Sequence, residues 1–226
     1  MSTVIVEHRT RPTTSHPFTG GARWAAAALL VTGALLQVIE FVLESSASGN
    51  AARVAYWAEH LTRVGVSESV GLLAVPFLIG GFAVSVALTR RRSPRLAWTA
   101  ACALTCAMVG LAAVHGAEMI AYGLVRTGNT AAAIGALDGA DMGLPGPVLL
   151  ILFMGGAVLG TLTLAVAQWR SPLVPRVVPL FVVAFAILDF AVGWGVVSHS
   201  VALVGNAILA WAVVTGYSRT APNAAE

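Results

Sequence analysis

The sequence predicts an all-α, polytopic membrane protein with six transmembrane helices. Three observations carry that expectation. Of 226 residues, 58% are hydrophobic and only 10% are charged, with a mean hydropathy of +0.83, whereas a soluble domain carries about 25% charged residues. The apolar residues fall into six runs, each near the ~20 residues that cross ~30 Å of hydrocarbon as a helix. Ten of the thirteen arginines lie on one side of the alternating topology those runs imply. A water-soluble globule, an intrinsically disordered chain and a disulfide-stapled secreted scaffold are excluded. The net charge of +3 comes from arginines clustered between apolar runs rather than from a continuous basic face, so nucleic acid is not an expected partner.

The runs are 24–44, 67–89, 96–124, 146–168, 177–198 and 200–218. Residues 1–22 read as a disordered cytoplasmic tail, 23–219 as the transmembrane domain and 220–226 as a second short cytoplasmic tail. The first run follows His8, Arg9, Arg11 and Arg23, which resembles a signal peptide. Its length of about 20 residues and the lack of a convincing small-residue cleavage site make it a retained span. Arg90, Arg91, Arg92 and Arg95 follow the second run, Arg170 and Arg176 the fourth, and Arg219 the sixth. Arginine marks the cytoplasmic side, which puts both termini inside; the expected location is a bacterial plasma membrane. Trp24, Trp98, Trp169 and Tyr217 form an inner aromatic belt, with Tyr56 and Trp57 near the outer boundary.

Two outer connections stand out. In 45–66, Val54, Trp57, Leu61 and Val64 follow a helical period, as in an amphipathic helix lying on the outer interface. The segment 126–145, rich in Gly and Asp, reads as a flexible, lid-like loop. The fifth and sixth runs meet in a tight hairpin around Ser198, His199 and Ser200. PFLIGGFAV before an arginine-rich exit in the second run matches ILFMGGAVLG before another in the fourth, as repeated helical hairpins of parallel topology would. Cys102 and Cys106, one turn apart in an apolar run, read as packing residues.

Ionisable residues inside a span cost ~2.5–3.5 kcal/mol each and are functional candidates by default. Gln37 and Glu40 share a face of the first span, His115, Glu118 and Tyr122 a face of the third, and Asp189 lies deep in the fifth. Asn206 is in the sixth. The three inside-to-outside spans thus each carry an acid in the outer half of the membrane, and one shared pocket is the simplest arrangement. Glu44 and Glu68 read as solvated interfacial residues.

The expected chemistry is acid–base catalysis on a lipophilic substrate, an isomerisation or cyclisation. Asp189 and Glu40 would be the acid–base pair, supported by His115 and Glu118 as catalytic groups. Gln37, Tyr122, Asn206, Phe185, Trp194 and Trp211 would bind the substrate, the aromatic rings facing a cationic intermediate. No cofactor and no metal enter this reading, and lipophilic substrate and membrane lipid are the expected partners. A chain without lysine cannot carry retinal or pyridoxal phosphate as a Schiff base. No nucleotide-binding glycine motif, H-E-x-x-H or G-x-S-x-G is present.

In layout, a short helical chain with isolated acids in its spans resembles the integral-membrane terpene cyclases of actinobacterial and fungal pathways. That resemblance implies a terpenoid substrate. The His115–Glu118 pair also resembles the His/Glu pairs of emopamil-binding-type sterol isomerases. Six short spans with an outward polar pocket resemble the membrane substrate-binding subunits of vitamin importers, which implies solute binding or transport instead. An axial pair of His115 and His199 on a haem or metal, and an accessory subunit of a larger complex, are the remaining alternatives.

Overall fold

The structure is a computed structural model and describes residues 16–44, 47–138, 145–193 and 195–219. Every regular element among them is helical: α1 (Gly21–Leu43), α2 (Asn50–Glu59), α3 (Leu61–Thr89), α4 (Pro94–Arg126), α5 (Thr130–Asp138), α6 (Pro145–Arg170), α7 (Val177–Ile187), continued by a π-helical turn (Leu188–Val192), and α8 (Val196–Thr215). In a bilayer each backbone amide must be satisfied within its own segment, and a helix does this. Five helices are long and apolar enough to span: α1, α3, α4, α6 and α8. The chain is therefore an all-helical membrane protein. Large apolar side chains such as Leu73, Ile120, Ile151 and Val197 lie exposed on the outward faces, where lipid replaces water.

The expected fifth span is the exception. Val177–Val192 is apolar but shorter than the other five; its 16 residues rise only ~24 Å. Gly193 stops it at φ 115°, a conformation open to glycine and costly for other residues. The connection falls there, and α8 begins at Val196. Ser198 and His199, expected to form the hairpin, instead occupy the first turn of α8.

The six long segments form a closed ring in chain order. α1 packs on α3, α3 on α4, α4 on α6, α6 on α7 and α7 on α8, and α8 returns to α1. Three consecutive hairpins build the ring, and glycines set the close approach within each. Gly81 of α3 lies against Leu30 of α1, and Gly33 of α1 against Leu78 of α3. Gly156 of α6 lies against Ala107 of α4, and Gly110 of α4 against Phe153 of α6. The first hairpin maps onto the second with its glycines in matching register. In the third, Gly205 of α8 meets Phe181 of α7.

The arginine-rich ends gather together. Arg23 reaches the Val214 carbonyl, Arg219 that of Trp169, and the Ser171 hydroxyl donates to the Leu88 carbonyl. Trp24, Trp98 and Trp169 are exposed at this end, as a belt requires. At the opposite end, α2 and α5 cap the bundle. Trp57 is 1% exposed. It packs with Val54, Val64, Ala121, Val125 and Ala133, so α2 is seated on protein and not on the lipid surface. The segment expected as a flexible loop holds α5 over 130–138, while 139–144 lie outside the described residues. The two tails beyond 16 and 219 also lie outside them. Cys102 and Cys106 are free thiols exposed on α4 rather than core residues.

Candidate functional site

The axis of the ring is a cavity of about 150 Å³, lined from all six long segments. Five phenylalanines dominate its wall: Phe82, Phe153, Phe181, Phe185 and Phe190. Polar groups enter at separate levels. Asp189, His199 and Gln37 stand toward the capped end, Ser85, Thr161 and Gln168 toward the arginine-rich end, and Asn206 lies midway along α8 between them. From Phe153 to Gln168 along α6 is ~22 Å, so the space is long and narrow. Gln168 is 2% exposed and its Oε1 has no hydrogen-bond partner. Burying such an acceptor costs ~1–3 kcal/mol unless something bonds to it.

Asp189 lies in the π-helical turn, an element found disproportionately at functional sites. Ser198 Oγ is 2.9 Å from Asp189 Oδ1 and 3.1 Å from His199 Nδ1. His199 Nδ1 is 3.0 Å from the Gly195 carbonyl and 3.8 Å from Asp189 Oδ1. The imidazole is held between Phe41, 4.1 Å away centre to centre, and Phe185 at right angles to it. A buried acid and an imidazole thus stand on the wall of an apolar chamber, bridged by the Ser198 hydroxyl. The position of the turn at Gly193 brings them together, because it places residues 198 and 199 on helix rather than loop.

A second polar cluster lies between this cavity and the cap. Arg53 of α2 bonds Glu118 Oε1 at 2.9 Å and Glu44 Oε1 at 3.2 Å, with its guanidinium over the Trp57 ring. Glu118 Oε2 is 3.4 Å from His115 Nδ1. Gln37 Nε2 donates to Glu40 Oε2 at 2.6 Å, and Glu40 Oε1 is 3.7 Å from the same imidazole nitrogen. Glu68 of α3 completes the group and is 6% exposed. Gly71, one turn further on, makes the room: a Cβ there would overlap the Glu40 carboxyl group and come within 2.7 Å of His115 Cε1. At the edge of the cluster, burial pushes the Glu44 carboxyl above its usual range, with Arg53 opposing.

The expected single pocket is therefore two sites. Glu40, His115 and Glu118 belong to the cluster; Asp189, Phe185 and Asn206 line the cavity; Gln37 touches both. Glu40 and Asp189, paired on sequence grounds, each have other partners. Tyr122 is absent from the cavity wall and donates to the Leu61 carbonyl. Trp211 is 59% exposed on the outer face of α8. Trp194 lies outside the described residues. Glu68 is buried, not solvated, because the capping helices cover the end of the bundle where the sequence implied an open interface. His115 and His199 sit in different clusters, which separates the two ligands an axial pair would need. Sequence reasoning missed Arg53, Glu68 and Ser198. Only the coincidence of Glu68 with Gly71 on one face of α3 hinted at any of them.

Fold and site together define a helical membrane protein with a ligand-sized axial cavity and a buried carboxylate–histidine cluster. No family model matches the chain, and neither a curated protein nor a solved structure is significantly similar to it.

Proposed function

We propose that the protein is a membrane-embedded enzyme that isomerises or cyclises a small lipophilic substrate in the axial cavity, with Asp189 and His199 handling the proton. One observation carries this reading: a buried carboxyl group and an imidazole, bridged by a hydroxyl, form part of the wall of a mostly apolar chamber in which five phenylalanines stand. Apolar chambers with a few convergent polar groups are the usual form of a small-molecule site. An apolar cavity of comparable size holds a molecule like benzene, so a small hydrocarbon skeleton suits the space as it stands, and a terpenoid substrate requires the cavity to widen.

In the first step Asp189 in its acid form gives its proton to a carbon–carbon double bond, leaving a carbocation and a carboxylate. Phe181, Phe185 and Phe190 line the chamber in place of water, and a ring face turned to the positive charge stabilises it. Neutral His199 then removes a proton from a neighbouring carbon, and a new double bond forms. Ser198 Oγ, within 3.1 Å of one group and 2.9 Å of the other, offers a path for the proton back to Asp189. No atom is gained or lost overall.

A groove of about 260 Å³ between α3 and α4, on the lipid side, shares Phe82, Leu104 and Met108 with the cavity wall. Those side chains are the natural door for a substrate arriving through the bilayer. The arginine distribution supports an orientation with the Arg23–Arg219 end on the cytoplasmic side; the plasma membrane of a bacterium is the location that goes with this proposal.

The test compares lipid extracts from cells expressing the wild type and Asp189→Asn by mass spectrometry. We expect an isomer of unchanged mass and altered retention with the wild type only, while the variant accumulates and melts like it. Identical extracts from both would overturn the enzyme reading. If the variant instead retained an unconverted lipophilic compound that the wild type also holds, the cavity would be a binding site for transport.

A further inference from the structure

The outer carboxylate–histidine cluster plays no part in the chemistry proposed for the cavity, yet it is built with more care than a set of solvated acids needs. The cluster holds four carboxyl groups, Glu40, Glu44, Glu68 and Glu118, and one guanidinium, that of Arg53, which bonds Glu44 and Glu118. Even with His115 charged, two negative charges would be left over at the end of a hydrophobic bundle. Charges in such a place must be paired, be neutralised by protons, or coordinate a metal.

The orientations say which. Glu118 has one oxygen held by Arg53 and turns the other toward His115. Glu40 has one oxygen held by Gln37 and likewise turns the other toward His115. Carboxylates that ligate a metal are pinned in this way by outer hydrogen bonds. The inward groups, by contrast, stand near one another without a well-aligned hydrogen bond, His115 Nδ1 lying 3.4 Å from Glu118 Oε2 and 3.7 Å from Glu40 Oε1. His115 is 3% exposed, and neither of its ring nitrogens makes a hydrogen bond. Glu68 Oε2 is buried and equally unsatisfied. One donor atom each from Glu68, His115 and Glu118 lies within 4.8 Å of the other two. Ligands around an ion with bonds of ~2.1 Å stand a little over 3 Å apart, so small rotations would close the set.

We infer that Glu68, His115 and Glu118, with Glu40 as a fourth ligand, form a binding site for a divalent first-row transition-metal ion. One imidazole among carboxylates suits Zn²⁺, Fe²⁺ or Mn²⁺, and the absence of thiolate argues against soft ions. The ion neutralises the surplus charge and ties α1, α3 and α4 together beneath the α2 cap. Through Glu40 it also fixes Gln37, whose side chain reaches the cavity wall.

The experiment uses the full chain purified in detergent, dialysed against Zn²⁺ or Mn²⁺ and then against metal-free buffer. We expect about one equivalent of Zn²⁺ by mass spectrometry, a bound-type Mn²⁺ paramagnetic resonance spectrum, and a melting temperature lowered by EDTA. Glu68→Gln and His115→Ala should each weaken binding by on the order of 100-fold or more, beyond the 10–100-fold typical of outer-shell changes. Asp189→Asn should bind like the wild type, so the site stands or falls apart from the proposed catalysis. A wild-type protein that retains no ion, its charge then balanced by protons, overturns the inference, as do variants that bind like the wild type. Should both variants fail to fold, X-ray absorption on the Zn²⁺-loaded wild type decides: scattering from one imidazole supports the site, and its absence overturns it.

Discussion

At position 71 a hydrogen atom is all that fits, because the Glu40 carboxyl group and the His115 ring occupy the space a methyl group would need. The same helix supplies Glu68 one turn earlier, so a single face of α3 provides both a ligand-type side chain and the gap that lets two others approach. Overpacking of a filled interior costs about 1–3 kcal/mol. Gly71→Ala should therefore lower the melting temperature measurably in a thermal scan, whereas Gly116→Ala, with open space around it, should not. An unchanged melting point for Gly71→Ala would mean that the Glu40 and His115 side chains are free to move aside. The sequence made Glu40, His115 and Glu118 visible through their cost in an apolar run. It hid Glu68, since an acid near the end of a run reads as solvated until something is known to cover it.

At the scale of elements, α2 decides whether that end is open or closed. Its Val54 and Trp57 period is legible, but an amphipathic helix looks the same whether its apolar face meets lipid or protein. Here Trp57 is fully enclosed by α3, α4 and α5, and Arg53 reaches from the same helix into the acid cluster. Truncating a large buried aromatic costs ~3–5 kcal/mol. Trp57→Ala should release α2 and α5 together, read as faster amide exchange over 50–59 and 130–138 with α6 unaffected. Protection equal to that of the wild type would show that the cap is held by other contacts. The π-helical turn is the second such decision. A continuous apolar run gave no sign that Leu188–Val192 would widen, or that Gly193 would end the span early enough to set Ser198 and His199 beside Asp189.

For the whole molecule, closure of the ring matters most. Six segments in chain order, each packed on the next and the last on the first, leave an axis that small residues and phenylalanines do not fill. The orientation of this ring in the membrane is open to a direct test. In a background lacking Cys102 and Cys106, Asn129→Cys should react with a membrane-impermeant maleimide in intact cells, and Arg92→Cys only after permeabilisation. The reverse pattern would invert the topology and put the metal site on the cytoplasmic side.

The sequence by itself determined the solvent, the helical class, the approximate spans and the price of each buried acid, because these depend on local composition and on the period of a helix. It also carried the glycine register of the first two hairpins, since close helix contact demands small residues at fixed spacing. Only the tertiary structure decided how the acids were shared between two sites, that Tyr122 and Trp211 stand away from the cavity, and that Glu68 is enclosed. Those outcomes depend on the rotation of each helix about its own axis and on what covers its ends. Both are set by packing between segments distant in the chain, which no local pattern records.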